Sequence, residues 1–261
     1  MTKTLPIKAK VMIGMVAAAS LCALSFGVAS GVAFGVASGV TPGGGGWQAQ
    51  TLLQPQLLLL LAAAALSSRF KVKLPGMASS MSGSLPVILL AVTQLGLFAS
   101  LLVAVTAAVA QSYSGGNKTR PIQFVFNACT LLNAAGLAYL AYHSQFFAAH
   151  ASTHMLSLVL AASIYFLANT APVAGIIGLT ENANPFALWH KVFLWSFPNY
   201  VIGAGLTAIV STFSTISGLT AMTTLMAVLF AVYQSYKMYV DRSGQTQLEA
   251  ASMTMSRAAG R

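Results

Sequence analysis

Residues Tyr165 to Tyr200 read YFLANTAPVAGIIGLTENANPFALWHKVFLWSFPNY, and this segment connects two long apolar runs, Leu156–Thr180 and Phe186–Ser211. At about 1.5 Å per residue, a helix over either run is long enough to cross the roughly 30 Å hydrocarbon core of a bilayer. The short polar segment Glu181–Pro185 lies between the two runs. The pattern therefore predicts two membrane-spanning helices joined by a polar turn.

The composition of the whole chain also indicates a membrane protein. The chain has 261 residues, of which 57% are hydrophobic and 6% charged, whereas soluble domains contain about 25% charged residues. Its 13 Lys and Arg residues form short clusters beside apolar runs, which indicates a membrane surface and not nucleic acid as the partner of the positive charge. We predict an all-α, polytopic transmembrane helical bundle in contact with the lipid bilayer.

The N-terminal run Val11–Val40 is uncharged and follows three lysines. A retained span fits this pattern and is favoured, and a cleaved signal peptide is the alternative. Four glycines spaced four residues apart form a stripe along a single predicted helix face, where helix backbones can approach closely. This stripe favours packing within the bundle over self-association into a homo-oligomer, and its members are Gly27, Gly31, Gly35 and Gly39.

Four further apolar runs are also predicted to be membrane-embedded helices: Thr51–Ser68, Ser84–Gln111, Ile122–Tyr142 and Leu219–Tyr239. If Ser84–Gln111 folds back as a hairpin or re-entrant pair, all Lys and Arg residues remain on the cytoplasmic side. The positive-inside rule favours this topology over a single crossing.

The resulting prediction is about six full spans plus the hairpin, in a bacterial inner membrane. Residues 1–240 form the membrane domain, residues 241–261 form a polar cytoplasmic tail, and both termini are cytoplasmic.

Polar side chains within or beside the apolar runs are the candidates for ligand binding. Asn127 and Asn133 favour helix packing over ligand contact, because polar groups in spans usually face neighbouring helices. Glu181 and His190 form either a pair that senses protons or binds a cation, or, as we favour, headgroup-level charges in which Glu181 meets Lys191 or Lys118. The full set of candidates is Asn127, Asn133, Asn169, Glu181, His190, Trp195 and Tyr200.

A proline and several aromatic residues give a structural reason to expect a ligand site near Trp195 and Tyr200. Pro198 lacks an amide hydrogen and frees a carbonyl one turn back, next to Trp195, Phe197 and Tyr200. A broken helix lined with aromatic rings is a suitable site for a small ligand. Trp189 is better explained as part of the interfacial aromatic belt.

Metal and cofactor sites are not predicted. His150 and His154 lie four residues apart, but no carboxylate or cysteine accompanies them, so a solvated loop is favoured over a metal site. The predicted spans contain no Asp, and nucleotide-binding loops and hydrolase motifs are absent from the sequence. We therefore expect a non-enzymatic protein without a cofactor.

Four segments carry a family resemblance: RFKVKLPG (Arg69–Gly76), RPIQFVFNACTLLNAAGLAYLAYH (Arg120–His143), Phe166–Tyr200 and YQSYKMYV (Tyr233–Val240). From about Leu52 onward the chain resembles bacterial integral-membrane input regions. These regions precede HD-GYP phosphodiesterase, GGDEF cyclase or histidine kinase output domains. The resemblance implies a cytoplasmic C-terminus, and since no output domain follows in this sequence, we expect signalling through a partner protein.

The resulting functional prediction is a sensor-like membrane module that detects a membrane or small-molecule signal. The alternative is a small-molecule carrier or the substrate-binding subunit of a transporter. In that case Gln94, Asn127, Asn133, Asn169 and Trp195 would line its pocket.

Overall fold

The computed structural model describes residues 6–37, 55–69, 71–73, 80–113, 121–144 and 154–213. The described residues form a helical bundle with one small sheet, so the fold class is all-α as predicted. The helices are α1 (Ile7–Ala37), α2 (Pro55–Ser67), α3 (Leu85–Gln94), α4 (Leu97–Tyr113), α5 (Pro121–Tyr142), α6 (His154–Glu181), α7 (Pro185–Leu188) and α8 (Phe197–Phe213). The predicted run Leu219–Tyr239 and the predicted tail lie outside the described residues.

Three of the described helices are long and apolar enough to cross a membrane, namely α1, α5 and α6. Helix α5 has 22 residues and α6 has 28, which correspond to about 33 and 42 Å at 1.5 Å per residue. Pro172 lies inside α6 and does not end it. Helices α2, α3 and α4 and the apolar part of α8 are shorter. The described fold is that of a polytopic membrane bundle.

The run Ser84–Gln111 folds back on itself as the hairpin α3–α4. Helix α3 ends at Gln94, the backbone of the next residue, Leu95, is extended, and α4 begins at Leu97. The side chain of Gln111 donates a hydrogen bond to Ser84 Oγ over 3.1 Å, so the outer ends of the two helices meet. A second hydrogen bond, from Ser100 Oγ to the Ala91 carbonyl at 3.0 Å, joins them near the turn. These contacts confirm the predicted hairpin.

Helix α3 occupies the centre of the bundle. All six residues from Val87 to Val92 are at most 1% exposed, and α2, α4, α5, α6 and α8 pack around the helix. A helix that is apolar on every side is stable only when it is enclosed by protein or lipid, and here protein encloses it. Helix α8 approaches α3 closely, because a β-carbon on Gly203 would lie 2.8 Å from Leu85 Cδ2.

Helix α1 packs along α5 and runs in the same direction. Asn133 Nδ2 donates to the Val16 carbonyl over 3.0 Å, and Ser20 Oγ donates to the Cys129 carbonyl over 2.9 Å. These two hydrogen bonds attach a helix in which most of the large apolar side chains that the structure describes are exposed.

The contacts between helices define two ends of the bundle. One end, called here the basic end, contains the start of α1, with Lys8 and Lys10, and the turn after α6. These two features share an end because Met12 of α1 lies against Gly175, near the end of α6. At the other, called the far end, Gln56 at the start of α2 donates to Gln94 at the end of α3 over 2.7 Å. Helix α2 therefore ends, with Arg69 behind it, towards the basic end.

A two-stranded antiparallel sheet lies between α2 and α3, and the sequence analysis did not predict it. Strand β1 (Lys71–Lys73) pairs with β2 (Ser80–Ser82), with Lys71 opposite Ser82. Hairpin pairing satisfies backbone groups that a short connection between two helices would otherwise leave to solvent.

Candidate functional site

The turn between α6 and α7 has a defined local structure that the sequence ENANP explains. Asn182 adopts a left-handed backbone with φ of 54°, a conformation that asparagine tolerates better than most residues. The Ala183 amide donates to the Gly178 carbonyl over 3.0 Å, which is the closing bond of a Schellman motif. Asn184 Oδ1 then caps α7 by accepting from the Phe186 amide at 3.0 Å. The turn is therefore a tight double cap.

The helix that follows this turn is interrupted. After α7 the chain makes one π-helical turn, Trp189–Phe193, and one 3₁₀ turn, Leu194–Ser196. Helix α8 begins at Phe197, so Pro198 is in its first turn, where a missing amide hydrogen costs little. The predicted break beside Pro198 is confirmed. Short π-helical segments occur frequently at functional sites.

Five aromatic rings from α6 and the interrupted helix form one group, called here the aromatic cluster: Tyr165, Phe166, Trp189, Phe197 and Tyr200. Phe166 is its centre, with ring centroids 5.0 Å from Tyr200, 5.2 Å from Phe197 and 5.7 Å from Trp189. Tyr165, Phe166 and Tyr200 are buried. The inclined and edge-to-face ring pairs are the favourable geometry for aromatic contacts.

Two hydrogen bonds connect α6 to the interrupted helix around this cluster. Trp189 Nε1 donates to Thr170 Oγ1 over 2.9 Å, and the Thr170 hydroxyl donates to the Phe166 carbonyl over 2.7 Å. Asn169 Nδ2 donates to the Tyr200 hydroxyl over 3.2 Å. Polar contacts thus hold both sides of the break against one face of α6.

The predicted ligand-binding residues are only partly brought together. Asn169 and Tyr200 meet, while Asn133 contacts α1 and Gln94 contacts α2. Asn127 is exposed on α5. Trp195 lies in the 3₁₀ turn, and the structure does not describe its side chain. Thr170 was missed, because a threonine inside a helix can satisfy itself by bonding to the preceding turn and so gives little sequence signal.

Glu181 and His190 are both exposed near the basic end. Within the described ranges, no hydrogen bond or ion pair connects either residue to the other or to Lys191. Lys118 lies outside these ranges. The exposed positions fit solvent or headgroup contact better than a site inside the bundle.

The remaining sequence predictions concern metal ligands and helix packing. His150 is outside the described residues, and His154 begins α6 with its side chain undescribed. Within 6–37, 55–69, 71–73, 80–113, 121–144 and 154–213, no group of three His, Cys, Asp or Glu is arranged to bind a metal. Cys22 and Cys129 are free thiols.

Of the glycine stripe, Gly27 lies where its β-carbon would be 3.3 Å from Leu101 Cδ1 of α4. The structure thus places this glycine against a neighbouring helix of the bundle. Gly31 and Gly35 lie in α1, but their surroundings are not described, and Gly39 is outside the described residues.

Comparison with known proteins identifies a family to which this chain belongs. The model of the MASE9 family matches residues 55–239, which include the hairpin α3–α4 and the aromatic cluster but not α1. No curated protein and no solved structure matches the chain. Since the match covers more than half of the sequence, the chain belongs to the MASE9 family of membrane-associated sensor domains, the kind of input domain that precedes signalling output domains.

Proposed function

We propose that this protein is a non-enzymatic membrane input module in which the interrupted helix α7–α8 changes position against α6 and passes that change to a partner protein. Membership of a sensor family supports the input role. The observation that carries the rest is the break at Trp189–Ser196, placed between two interhelical hydrogen bonds.

The energy scale of these contacts suits a switch. Hydrogen bonds between membrane helices average about 0.6 kcal/mol and reach about 1.7 kcal/mol. Two such bonds and a set of ring contacts separate alternative positions of α8 by a few kcal/mol, which is the range in which a signal shifts populations. A continuous helix would lack the joint at which this movement takes place.

The distribution of charge supports the topology that we propose for the module. Lys8 and Lys10 at the start of α1 and Arg69 after α2 are exposed towards the basic end. The positive-inside rule places this end in the cytoplasm. With the hairpin α3–α4 returning to its starting side, about six spans leave both termini cytoplasmic in a bacterial inner membrane.

Partner capture tests the proposed function. A photoactivatable phenylalanine analogue is incorporated at Gln245 of the full chain, and cross-linked proteins are identified from native membranes. We expect a protein with a kinase, cyclase or phosphodiesterase output domain, and we expect Tyr200→Phe to change the cross-linking yield. Tyr113→Phe is the matched control, because Tyr113 is 86% exposed. The absence of any signalling protein among the cross-links would contradict the proposal.

A carrier is the second candidate, because interrupted helices and re-entrant hairpins also form substrate sites in transporters. Here α8 and α3 are adjacent, with Thr207 Oγ1 donating to the Pro86 carbonyl over 3.2 Å. Reconstitution in proteoliposomes separates the two candidates. A carrier moves its substrate across the vesicle membrane, whereas an input module binds its ligand without net flux.

A further inference from the structure

At the far end, the side chain of His143 contacts the end of α3, and this contact has no part in the proposed function. It follows the last residue of α5, and its Nε2 lies 3.0 Å from the Val92 carbonyl oxygen in the last turn of α3. A carbonyl oxygen only accepts hydrogen bonds, so Nε2 carries the hydrogen and Nδ1 carries the lone pair of the neutral ring. The free Nδ1 of this exposed side chain is where a proton from solvent would bind.

The ring of His143 lies beside two helix ends and two aromatic side chains. His143 is at the C-terminal ends of two helices, α5 and α3, whose unpaired carbonyls carry partial negative charge. The Tyr139 ring is centred 4.2 Å away in a tilted arrangement, and the Tyr142 ring is centred 5.0 Å away in an edge-to-face arrangement.

Among the described residues of the helices around it, no opposing charge faces this ring. Helices α2, α3 and α4 contain no Lys, Arg, Asp, Glu or His, and the titratable groups of α5 near the ring are the phenols of Tyr139 and Tyr142. His154, the first residue of α6, is the other described histidine at the far end.

We propose that His143 is a proton-binding site and that the input module reads the pH at its far end. This inference rests on the proposed function. A proton taken from solvent by Nδ1 converts the neutral Nε2–H bond to Val92 into a charge-assisted bond, which is roughly twice as strong. Protonation therefore fastens the end of α3 to the end of α5.

The position of α3 connects this event to α8. The carbonyl of Pro86, in the first turn of α3, accepts the hydrogen bond from Thr207 of α8, and Gly203 of α8 lies against Leu85. A displacement of the enclosed helix α3 thus reaches the helix that we propose as the output of the module. In the proposed topology the far end faces the outside of the cell, so the signal is external pH.

Nitrogen-15 NMR of the histidine side chains tests the geometry without any substitution in the sample. The full chain, labelled in its histidines, is placed in lipid nanodiscs and titrated from pH 8 to pH 5.5, and His143→Gln assigns the resonances. We expect neutral His143 as the Nε2–H tautomer and an imidazolium at low pH. The Nδ1–H tautomer at pH 8 would overturn the proposal.

Spin labels test the movement in the same nanodiscs. Labels are placed through Gly96→Cys and Leu140→Cys in a chain carrying Cys22→Ser and Cys129→Ser. A side chain at Gly96 meets nothing within 4 Å, and Leu140 is 50% exposed. Histidine changes charge between about pH 5 and 8. We therefore expect the population with the short label distance to rise, relative to the population with the long distance, by about threefold to fivefold from pH 8 to pH 5.5.

Two variants separate titration from hydrogen bonding. His143→Gln keeps an N–H donor that does not titrate, and we expect it to abolish the pH dependence. His190→Gln is the matched control and should retain it, because His190 is the other histidine whose side chain is described as exposed. A wild-type ratio that does not change with pH, or a change that survives in His143→Gln, would overturn the inference. Partner capture at Gln245 would still succeed in that case, so failure here is distinguishable from failure of the proposed function.

Discussion

Replacing Thr170 by Val removes the acceptor of the Trp189 indole N–H and keeps the size of the side chain. The lost contact is the 2.9 Å hydrogen bond that joins the π-helical turn to α6, and Thr170 is 4% exposed. An unpaired buried donor costs about 1–3 kcal/mol, and measured bonds between membrane helices average about 0.6 kcal/mol with a maximum near 1.7. Trp189 is only half-buried, so we expect the free energy of unfolding to fall by about 1 kcal/mol.

The assay is a titration of the purified full chain in mixed micelles with SDS, followed by far-ultraviolet circular dichroism. Thr180→Val is the matched control, because the Thr180 hydroxyl bonds only to carbonyls of its own helix. It should change the free energy of unfolding by less than about 0.5 kcal/mol.

A double-mutant cycle with Trp189→Phe isolates the hydrogen bond. This second variant removes the donor and retains an aromatic ring beside Phe166. We expect a coupling energy of about 0.6–1.7 kcal/mol between positions 170 and 189. If the two substitutions are additive within about 0.3 kcal/mol, the contact does not hold the interrupted helix, and the reasoning is refuted.

Three further predictions use the same protein. Gly178→Ala should lower the free energy of unfolding, because its β-carbon would lie 2.7 Å from the proline ring of the turn and 3.0 Å from a turn carbonyl. Gly205→Ala, with nothing within 4 Å, should raise it by up to about 1 kcal/mol through helix propensity; the opposite order in the SDS titration would contradict the described turn. Asn133→Ala should lower it by about 0.6–1.7 kcal/mol by releasing α1, while the exposed Asn127→Ala should change it by less than about 0.5 kcal/mol, and equal effects would refute the α1 contact. A reporter fused after Arg261 that is active only in the cytoplasm should be active, and a periplasmic location would contradict an even number of crossings.

Helix positions were predictable because the signal for each is local. The run Leu156–Thr180 appears as His154–Glu181, and Ile122–Tyr142 appears as Pro121–Tyr142. The hairpin in Ser84–Gln111 was also predicted, since the charges of neighbouring loops report the number of crossings. The central position of α3 was not predictable. An all-apolar helix has the same sequence pattern whether lipid or protein encloses it.

The candidate site was predicted in part, and each outcome has a physical reason. Pro198 indicated the break, and Asn169 of α6 does meet Tyr200 of α8 beside it. Thr170 gave little sequence signal, because a threonine in a helix satisfies itself by bonding to the preceding turn. Glu181 and His190 do not pair, since the double cap at Asn182 and Asn184 leaves both at the surface.

Alone, the sequence determined that this chain resides in a membrane, which of the described segments are helical and that the helix after Glu181 is broken. The tertiary structure decided which side chains meet, including the enclosure of α3, the attachment of α1 through Asn133 and the contact of His143 with Val92. The reason is that hydrophobicity and proline act within a single segment. Contacts between helices depend instead on their rotation and register, which are set by hydrogen bonds and small residues far apart along the chain.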